Sequence, residues 1–246
     1  MSALMKLTWV DTKLFFRNYI SAFFVLAFPL MMLVIFGGVY GNQPTAFFGG
    51  HGAMDVTIPG YIVALVIGTA GFISLPVELA VYRERGVLRR YRATPLPAGW
   101  VLASQMLVTL LATLLGTLIL VGSGMALYHL RLPEAPLATF FGFVVACLST
   151  FATGFLIASL APTASAARAI GMVVYYPMMF LSGGTLPREV MPEALKAIAN
   201  FFPLTYALDL FKGLWFDQGW NLTDLAVLAG MVLVCVLVSV RLFRWE

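Results

Sequence analysis

Long apolar runs alternate with short polar segments along the chain. Each run has roughly the 20 residues that a helix needs to cross the hydrocarbon core of a bilayer. Because unpaired peptide groups are costly in lipid, such runs are expected to be helices, and the ten-residue alternation of membrane strands does not occur. The pattern predicts six transmembrane helices, at residues 20–40, 58–81, 101–128, 137–160, 168–186 and 222–240.

Three of the predicted transmembrane helices contain an internal proline: Pro29, Pro76 and Pro177. Proline lacks the backbone N–H that continues an α-helix, and its ring clashes with the preceding turn. We therefore expect these helices to depart from straight α-helical geometry at those points.

Two segments outside the six runs have amphipathic patterns. In residues 1–18, Lys6, Lys13 and Arg17 share one face of a helix. This pattern favours a helix on the inner membrane surface, although a charged flank that merely orients the first transmembrane helix would look similar. In residues 187–221, a second amphipathic helix is predicted, either dipping into the outer leaflet or packed on the protein. Its polar face comprises Glu189, Glu193, Lys196 and Asn200, and Pro187 and Pro203 bracket it.

The composition restricts the class of protein. Hydrophobic residues make up 61% of the 246 and charged residues 11%, against roughly 25% charged in soluble domains, so a water-soluble enzyme is excluded. Cys147 and Cys235 both lie in apolar runs, and His51 and His129 are far apart in the sequence. This arrangement indicates neither a disulfide framework nor a metal site.

The positive charges indicate how the chain is oriented. If the N-terminus is cytoplasmic, eleven of the fifteen Lys and Arg residues lie in inner segments and four in outer ones. This asymmetry predicts cytoplasmic termini and accounts for the net charge of +4 without a nucleic-acid partner. No cleavable signal peptide is predicted, and we expect a multi-pass protein of a bacterial inner or plasma membrane. The inner residues are Lys6, Lys13, Arg17, Arg83, Arg85, Arg89, Arg90, Arg92, Arg168, Arg241 and Arg244, and the outer ones are Arg131, Arg188, Lys196 and Lys212.

The inner segment 82–100 has more structure than a topology signal needs. If its arginine-rich part is helical, Arg85, Arg89 and Arg92 share one face, apolar residues share the other, and Pro95 helps to end the helix. Topology requires only charge, so the apolar face and the fixed end favour a docking surface for a cytosolic partner.

Glu78 lies about three residues from the inner end of its predicted helix. We expect it to pair with Arg83 or Arg85 at the membrane interface, since the carboxylates of proton relays usually lie deeper among the helices. No other carboxylate lies near the middle of a predicted transmembrane helix, which argues against a proton-driven antiporter.

Three features together resemble the membrane subunit of ABC type-2 transporters, a family that includes bacterial drug, glycolipid and polysaccharide exporters. The first is six transmembrane helices after a short amphipathic lead. The second is the inner segment Arg83-Glu84-Arg85-Gly86-Val87-Leu88 with Arg92-Ala93-Thr94-Pro95-Leu96-Pro97. The third and most specific is the outer motif Phe180-Leu181-Ser182-Gly183-Gly184-Thr185-Leu186-Pro187, followed by Met191-Pro192 and Phe202-Pro203-Leu204-Thr205-Tyr206-Ala207. The resemblance covers essentially the whole chain.

The resemblance implies an all-α integral membrane protein that forms one domain over residues 1–246. It also implies re-entrant helices before the last transmembrane helix, a second permease copy or paralogue as partner, and an inner loop that fits a cleft of a separate ABC ATPase. The ATPase-coupling residues it implies are Glu84, Arg85, Gly86, Leu88, Arg89, Arg92, Thr94 and Pro95.

No ATP site of its own is predicted for this chain. The phosphate-binding pattern Gly-x-x-x-x-Gly-Lys-Ser/Thr does not occur, so ATP and Mg²⁺ are expected in the partner ATPase, and the chain itself is not expected to be an enzyme. The run from Leu181 to Gly184 is similar to the start of the ABC ATPase signature. It lies at the outer end of a predicted helix, however, and is interpreted as a flexible helix end.

Met and aromatic side chains suit adaptable contacts with apolar ligands. The predicted substrate path, for an apolar or amphiphilic drug, lipid or lipid-linked glycan, comprises Phe72, Tyr175, Tyr176, Met178 and Met179. Helix packing or lipid contact would explain the same residues. An energy-independent channel or secondary carrier is the alternative function, although the polar pore face or inverted repeat it would require is not evident. A membrane anchor would fit the six helices but not the two amphipathic segments together.

Overall fold

The computed structural model describes residues 3–45, 50–87, 98–185 and 191–242. The protein is about 83% helical, without a strand in those ranges. In chain order the helices are α1 (Ala3–Arg17), α2 (Tyr19–Tyr40), α3 (Ala53–Glu84), α4 (Ala98–Tyr128), α5 (Pro136–Leu160), α6 (Ala164–Leu181), α7 (Glu193–Ala199), α8 (Pro203–Trp215) and α9 (Leu222–Leu242).

Six of these helices, α2 to α6 and α9, are long and apolar enough to cross a membrane. This confirms the predicted all-α membrane fold and the number of transmembrane helices. The largest difference in position is in α6, which begins four residues before Arg168 and ends at Leu181 rather than Leu186. The reason is its N-cap: the hydroxyl of Thr163 accepts a hydrogen bond from the Ala166 N–H at 3.1 Å, so the small residues after it start a helix.

Two of the helices with internal prolines contain π-helical turns, in which the backbone hydrogen bond reaches one residue further than in an α-helix. Pro29 and Pro76 each lie just after such a turn. The wider turn accommodates a residue that cannot donate its own N–H, so the predicted departure from α geometry is confirmed at Pro29 and Pro76. At Pro177, by contrast, α6 continues as an α-helix. The π-helical turns are Phe23–Ala27 in α2, and Ile62–Ile67 and Ala70–Ser74 in α3.

Helix α3 forms the centre of the molecule. It is 89% buried over its most apolar stretch, compared with 22% for α6 and 17% for α9. Its neighbours are α2 and α4 on one side and α5, α6 and α8 on the other. We call the end of the molecule that contains α1, Glu84 and Thr163 the inner end, and the opposite end, with Tyr40 and Tyr128, the outer end.

Glycines bring α5 and α6 close to α3 near the middle of the molecule. A Cβ atom at Gly154 of α5 would lie 2.1 Å from the Gly71 carbonyl oxygen, and one at Gly171 of α6 would lie 2.3 Å from that of Phe72. Neither position can hold a larger residue without moving a backbone. This is the close approach through small residues that is common between membrane helices.

Helix α1 lies against α4 at the inner end. Asp11 and Phe15 face the protein, whereas Lys6, Lys13 and Arg17 are exposed. The helix covers almost all of the N-terminal segment for which an amphipathic helix was predicted. Its place on the membrane surface stays a prediction.

The outer segment before α9 contains two helices rather than the single amphipathic helix predicted from the pattern. Residues 186–190 lie outside the described ranges, and the short helix α7 begins only after Pro192. Helix α8 then begins at Pro203, where the first-turn N–H that proline lacks has no helical partner in any case. It packs against α3, α5 and α9, with residues such as Leu208 and Phe211 fully buried.

Candidate functional site

Three consecutive residues at the inner end of α3 contact three other elements. The Tyr82 hydroxyl donates to Asp11 of α1 at 2.6 Å. The Arg83 guanidinium donates to the carbonyl of Ala158 at 3.2 Å and to that of Ala161, at the end of α5. Glu84 accepts the N–H of Ala164, the first residue of α6, at 2.8 Å. We call Tyr82, Arg83 and Glu84 the triplet.

The sequence explains why the end of α5 needs an outside donor. In an α-helix the Ala158 carbonyl would accept from the N–H of residue 162, but that residue is Pro162. The Arg83 guanidinium replaces the missing donor, and its positive charge is placed at a helix C-terminus, where it is favoured. Glu84 is the counterpart of this contact, since its carboxylate lies at the N-terminus of α6.

A small apolar cluster lies beside these hydrogen bonds. The buried side chains are Val77 and Ala80 from α3, Ala161 from the turn and Ala167 from α6. The inner end of α3 is therefore joined to the turn between α5 and α6 by both packing and hydrogen bonds.

Asp11 joins α1 to two transmembrane helices. Its carboxylate is 5% exposed and accepts from the hydroxyl of Tyr82 in α3 and from that of Ser104 in α4, both at 2.6 Å. A buried carboxylate is tolerated only when it is well hydrogen-bonded. Asp11 was not predicted from the sequence, because the basic face of the helix suggested contact with lipid head groups rather than with protein.

Glu78 lies one turn above the triplet, and its hydrogen bonds are not those predicted. The Asn18 amide and the Ser21 hydroxyl, near the start of α2, donate to its carboxylate. Arg85 interacts with it only through charge, and the Arg83 guanidinium reaches the end of α5 instead. The predicted arginine pair is therefore replaced by a link between α2 and α3.

The segment predicted to couple to an ATPase is only partly described. Glu84, Arg85 and Gly86 are within the structure, whereas Leu88, Arg89, Arg92, Thr94 and Pro95 lie outside the described residues. Helix α3 ends at Glu84, and Gly86 has a φ of 64°, which glycine adopts at little cost. The described chain therefore turns at Gly86, and the shared helical face of Arg85 with Arg89 and Arg92 stays a prediction.

Four of the five residues predicted for the substrate path lie in the core of the single chain. Phe72, Tyr175, Met178 and Met179 are buried, whereas Tyr176 is 38% exposed. The Tyr175 hydroxyl donates to the Ala64 carbonyl at 2.7 Å, and its ring stacks on that of Phe72 at 6.0 Å. Within one chain these contacts are helix packing, so a path that uses these residues would have to open them.

Three cavities lie away from these five residues. An apolar groove of about 450 Å³ runs from the outer end between α5, α8 and α9, with Thr153, Tyr206 and Met231 among its walls. Two polar depressions of about 340 and 690 Å³ lie at the outer end itself. No group of three metal-ligating side chains occurs in the described ranges.

A cluster of polar groups links the outer ends of the helices by hydrogen bonds. This cluster was not predicted from the sequence. Asp55 accepts from the Asn42 amide at 3.1 Å, from the Arg131 N–H at 3.0 Å and from the Gly52 N–H at 3.3 Å. The Asn42 amide also donates to the Tyr128 carbonyl at 3.0 Å. One signal in the sequence could have indicated part of it: Gly52 and Asp55 have the spacing of a helix N-cap and its third residue.

The run from Leu181 to Gly184 forms the end of α6, as predicted. The Ser182 hydroxyl donates to the Met179 carbonyl at 3.3 Å, and Gly183 has a φ of 91°. Ser182, Gly183 and Gly184 are buried, and the flexibility of this helix end stays a prediction. The turn packs against α3, where a Cβ atom at Gly60 would lie 2.6 Å from the Gly184 carbonyl oxygen.

Comparison with known proteins gives one family and several relatives. The family model described as ABC-2 type transporter matches residues 2–216. The chain is similar to the transport permease ycf38 of Porphyra purpurea, with 27% identity over 80% of this chain and 68% of the relative. It is also similar to the daunorubicin resistance ABC transporter permease protein DrrB1 of Streptomyces coeruleorubidus, with 24% identity over 89% and 76%. Nodulation protein J of Rhizobium leguminosarum bv. viciae is 32% identical over 37% of this chain and 36% of its own length.

Proposed function

The chain belongs to the ABC-2 type transporter family, and we propose that it is the transmembrane subunit of an ATP-driven exporter whose ATPase is a separate chain. The observation that carries the proposal is the family match over residues 2–216, which includes both the inner segment after α3 and the outer helices α7 and α8. The phosphate-binding pattern is missing from the sequence, which supports ATP and Mg²⁺ being bound by the partner.

The inner segment after α3 is the proposed docking site for the ATPase. Arg85, Arg89 and Arg92 give it positive charge, and Gly86 lets the chain turn away from the end of α3. Displacement of this segment would be transmitted directly to α3, because only two residues separate Glu84, the last residue of α3, from Val87 in the segment. Since α3 is the central helix, its displacement would also move the helices packed on both of its sides.

The translocation path is proposed to lie between two permease subunits, either two copies of this chain or this chain and a paralogue. The burial pattern of the single chain supports a path between subunits. Its central helix is almost fully enclosed, whereas the α6 residues Val173, Tyr176 and Phe180 are 74%, 38% and 50% exposed. An aromatic and aliphatic face of this kind suits either lipid or a second subunit with an apolar substrate between them.

An apolar or amphiphilic compound is the proposed substrate. The names of two relatives refer to daunorubicin resistance and to nodulation. The scarcity of charge within the transmembrane helices here agrees with a path that does not bind small ions. ATP binding by the partner would favour one of two conformations, and the substrate would leave from the outer end. The free energy for this change comes from the different affinity of ATP for the two states of the partner.

Transport in inside-out membrane vesicles tests this function, with daunorubicin as the probe. Vesicles containing this chain and its ATPase are expected to accumulate the drug when ATP is added, and a protonophore should not prevent accumulation. Replacing the phosphate-binding lysine of the ATPase should abolish it. Uptake that persists without ATP and collapses with the protonophore would favour a secondary carrier, and uptake no greater than in vesicles without the chain would exclude the drug as substrate.

A further inference from the structure

We propose that the triplet transmits displacement of the inner segment after α3 to α1, α5 and α6 together, so that these elements move with α3 as one unit. Tyr82, Arg83 and Glu84 are here positioning residues rather than contacts for the ATPase. The inference rests on the proposed function, since it requires an ATPase that displaces the inner segment.

The positions of the triplet make it suited to this role. Consecutive residues of an α-helix point about 100° apart, so three in a row reach three different sides of α3. Tyr82 reaches α1, Arg83 the end of α5, and Glu84 the start of α6. Directly after the triplet, Arg85 begins the segment proposed to contact the ATPase, and the chain turns at Gly86.

The contacts of the triplet are specific rather than merely electrostatic. A topology signal needs a positive charge at position 83 but no particular partner. Instead, the guanidinium lies on two carbonyls, one of which has lost its helical donor to Pro162. Glu84 shares the capping of α6 with Thr163: the glutamate accepts from Ala164 and the threonine from Ala166.

Separating α3 from these partners would leave two backbone carbonyls at the end of α5 without the hydrogen bonds that Arg83 donates. The Ala158 and Ala161 residues that Arg83 contacts are each 1% exposed, so water could not readily replace the guanidinium. The apolar cluster of Val77, Ala80, Ala161 and Ala167 would also be opened. The inner ends of α3, α5 and α6 are therefore held more strongly together than exposed charges alone would hold them.

The test is a distance measurement between spin labels on α1 and α6 of one chain. Lys13 and Ser165 are both exposed at the inner end, and each is replaced by cysteine and labelled after the native Cys147 and Cys235 are changed to alanine. The labelled chain is diluted with unlabelled chain and purified with its ATPase. Distances are measured without nucleotide and with ATP bound to an ATPase that cannot hydrolyse it.

In the wild-type background we expect the same distance peak in both states, because α1 and α6 both follow α3. In the double variant Arg83→Gln/Glu84→Ala, the hydrogen bonds from α3 to the ends of α5 and α6 are removed, and a second peak should appear on ATP binding. The single variant Glu84→Ala gives the same test if the double variant does not fold. Glu84→Gln keeps an oxygen that can accept from Ala164 and should behave as wild type, as should Arg17→Gln, which removes an exposed charge at the end of α1.

The proposal is overturned if the wild-type distance itself shifts on ATP binding, or if the triplet variants keep a single unshifted peak. Failure of the proposed function gives a different result, in which no ATPase purifies with the wild-type chain, and the role of the triplet then falls with it.

Discussion

At the scale of single residues, buried polar side chains link helices that are far apart in the sequence. Asp11 meets Tyr82 across 71 positions, and Asp55 meets the backbone of Arg131 across 76. Each carboxylate has several donors around it, which offsets the cost of removing its charge from water. These residues lie near the two ends of the helices, so they fix how the helices align along their length.

Replacing Asp55 should destabilise the outer end. Asp55→Ala leaves the Arg131 and Gly52 N–H groups and the Asn42 amide without their acceptor, at a cost of about 3 kcal/mol in the free energy of unfolding. Thermal unfolding of the purified protein in detergent is expected to show a clearly lower midpoint. The matched control is Glu134→Ala, because Glu134 is exposed at the outer end. If both variants unfold at the wild-type temperature, the polar cluster does not stabilise the outer end.

At the scale of helices, packing around α3 depends on positions where two backbones nearly touch. Gly71 and Gly154 bring α3 and α5 together, and Gly171 does the same for α6 and α3. Such contacts replace the hydrophobic driving force that soluble helices use, because lipid is as apolar as a leucine side chain. The position of α5 and α6 against the central helix therefore depends on the absence of side chains.

A larger residue at Gly154 should separate α5 from α3. Gly154→Leu would have to displace the backbone of α3, and overpacking of this kind costs roughly 1–3 kcal/mol or more. The expected result is a lower thermal midpoint or loss of the monodisperse peak in size-exclusion chromatography. Gly230→Leu in α9 is the control, because a Cβ atom there has open space around it. Equal effects of the two variants would show that close packing at Gly154 is not the cause.

The helices themselves were largely predictable, since their length and apolarity are properties of single segments. Their ends were less so: α6 begins at Ala164 because Thr163 caps it, and α3 ends at Glu84 because Gly86 adopts a left-handed conformation. The contacts of the triplet could not be predicted, because the pattern around Arg83 indicates charge but not which carbonyls lie nearby. The same holds for Asp11, because the sequence does not indicate which helices pack against it in the folded protein.

At the scale of the whole molecule, charge and burial agree with the proposed role as one subunit of a larger assembly. Eleven of the fifteen positive residues fall in segments predicted to face the cytoplasm, including the segment that follows the triplet. The central helix is enclosed while much of α2, α6 and α9 faces outwards. An ATPase on the inner side and a second permease beside it would account for both features.

Copurification of a tagged form of this chain from its native membrane in mild detergent is the decisive experiment, since the proposed function requires a separate ATPase. Mass spectrometry is expected to find an ABC ATPase in stoichiometric amount. Changing Arg85, Arg89 and Arg92 to Glu should remove it, whereas Arg17→Glu and Arg168→Glu, which reverse other inner charges, should not. A wild-type chain that purifies without an ATPase under every detergent condition would contradict the account.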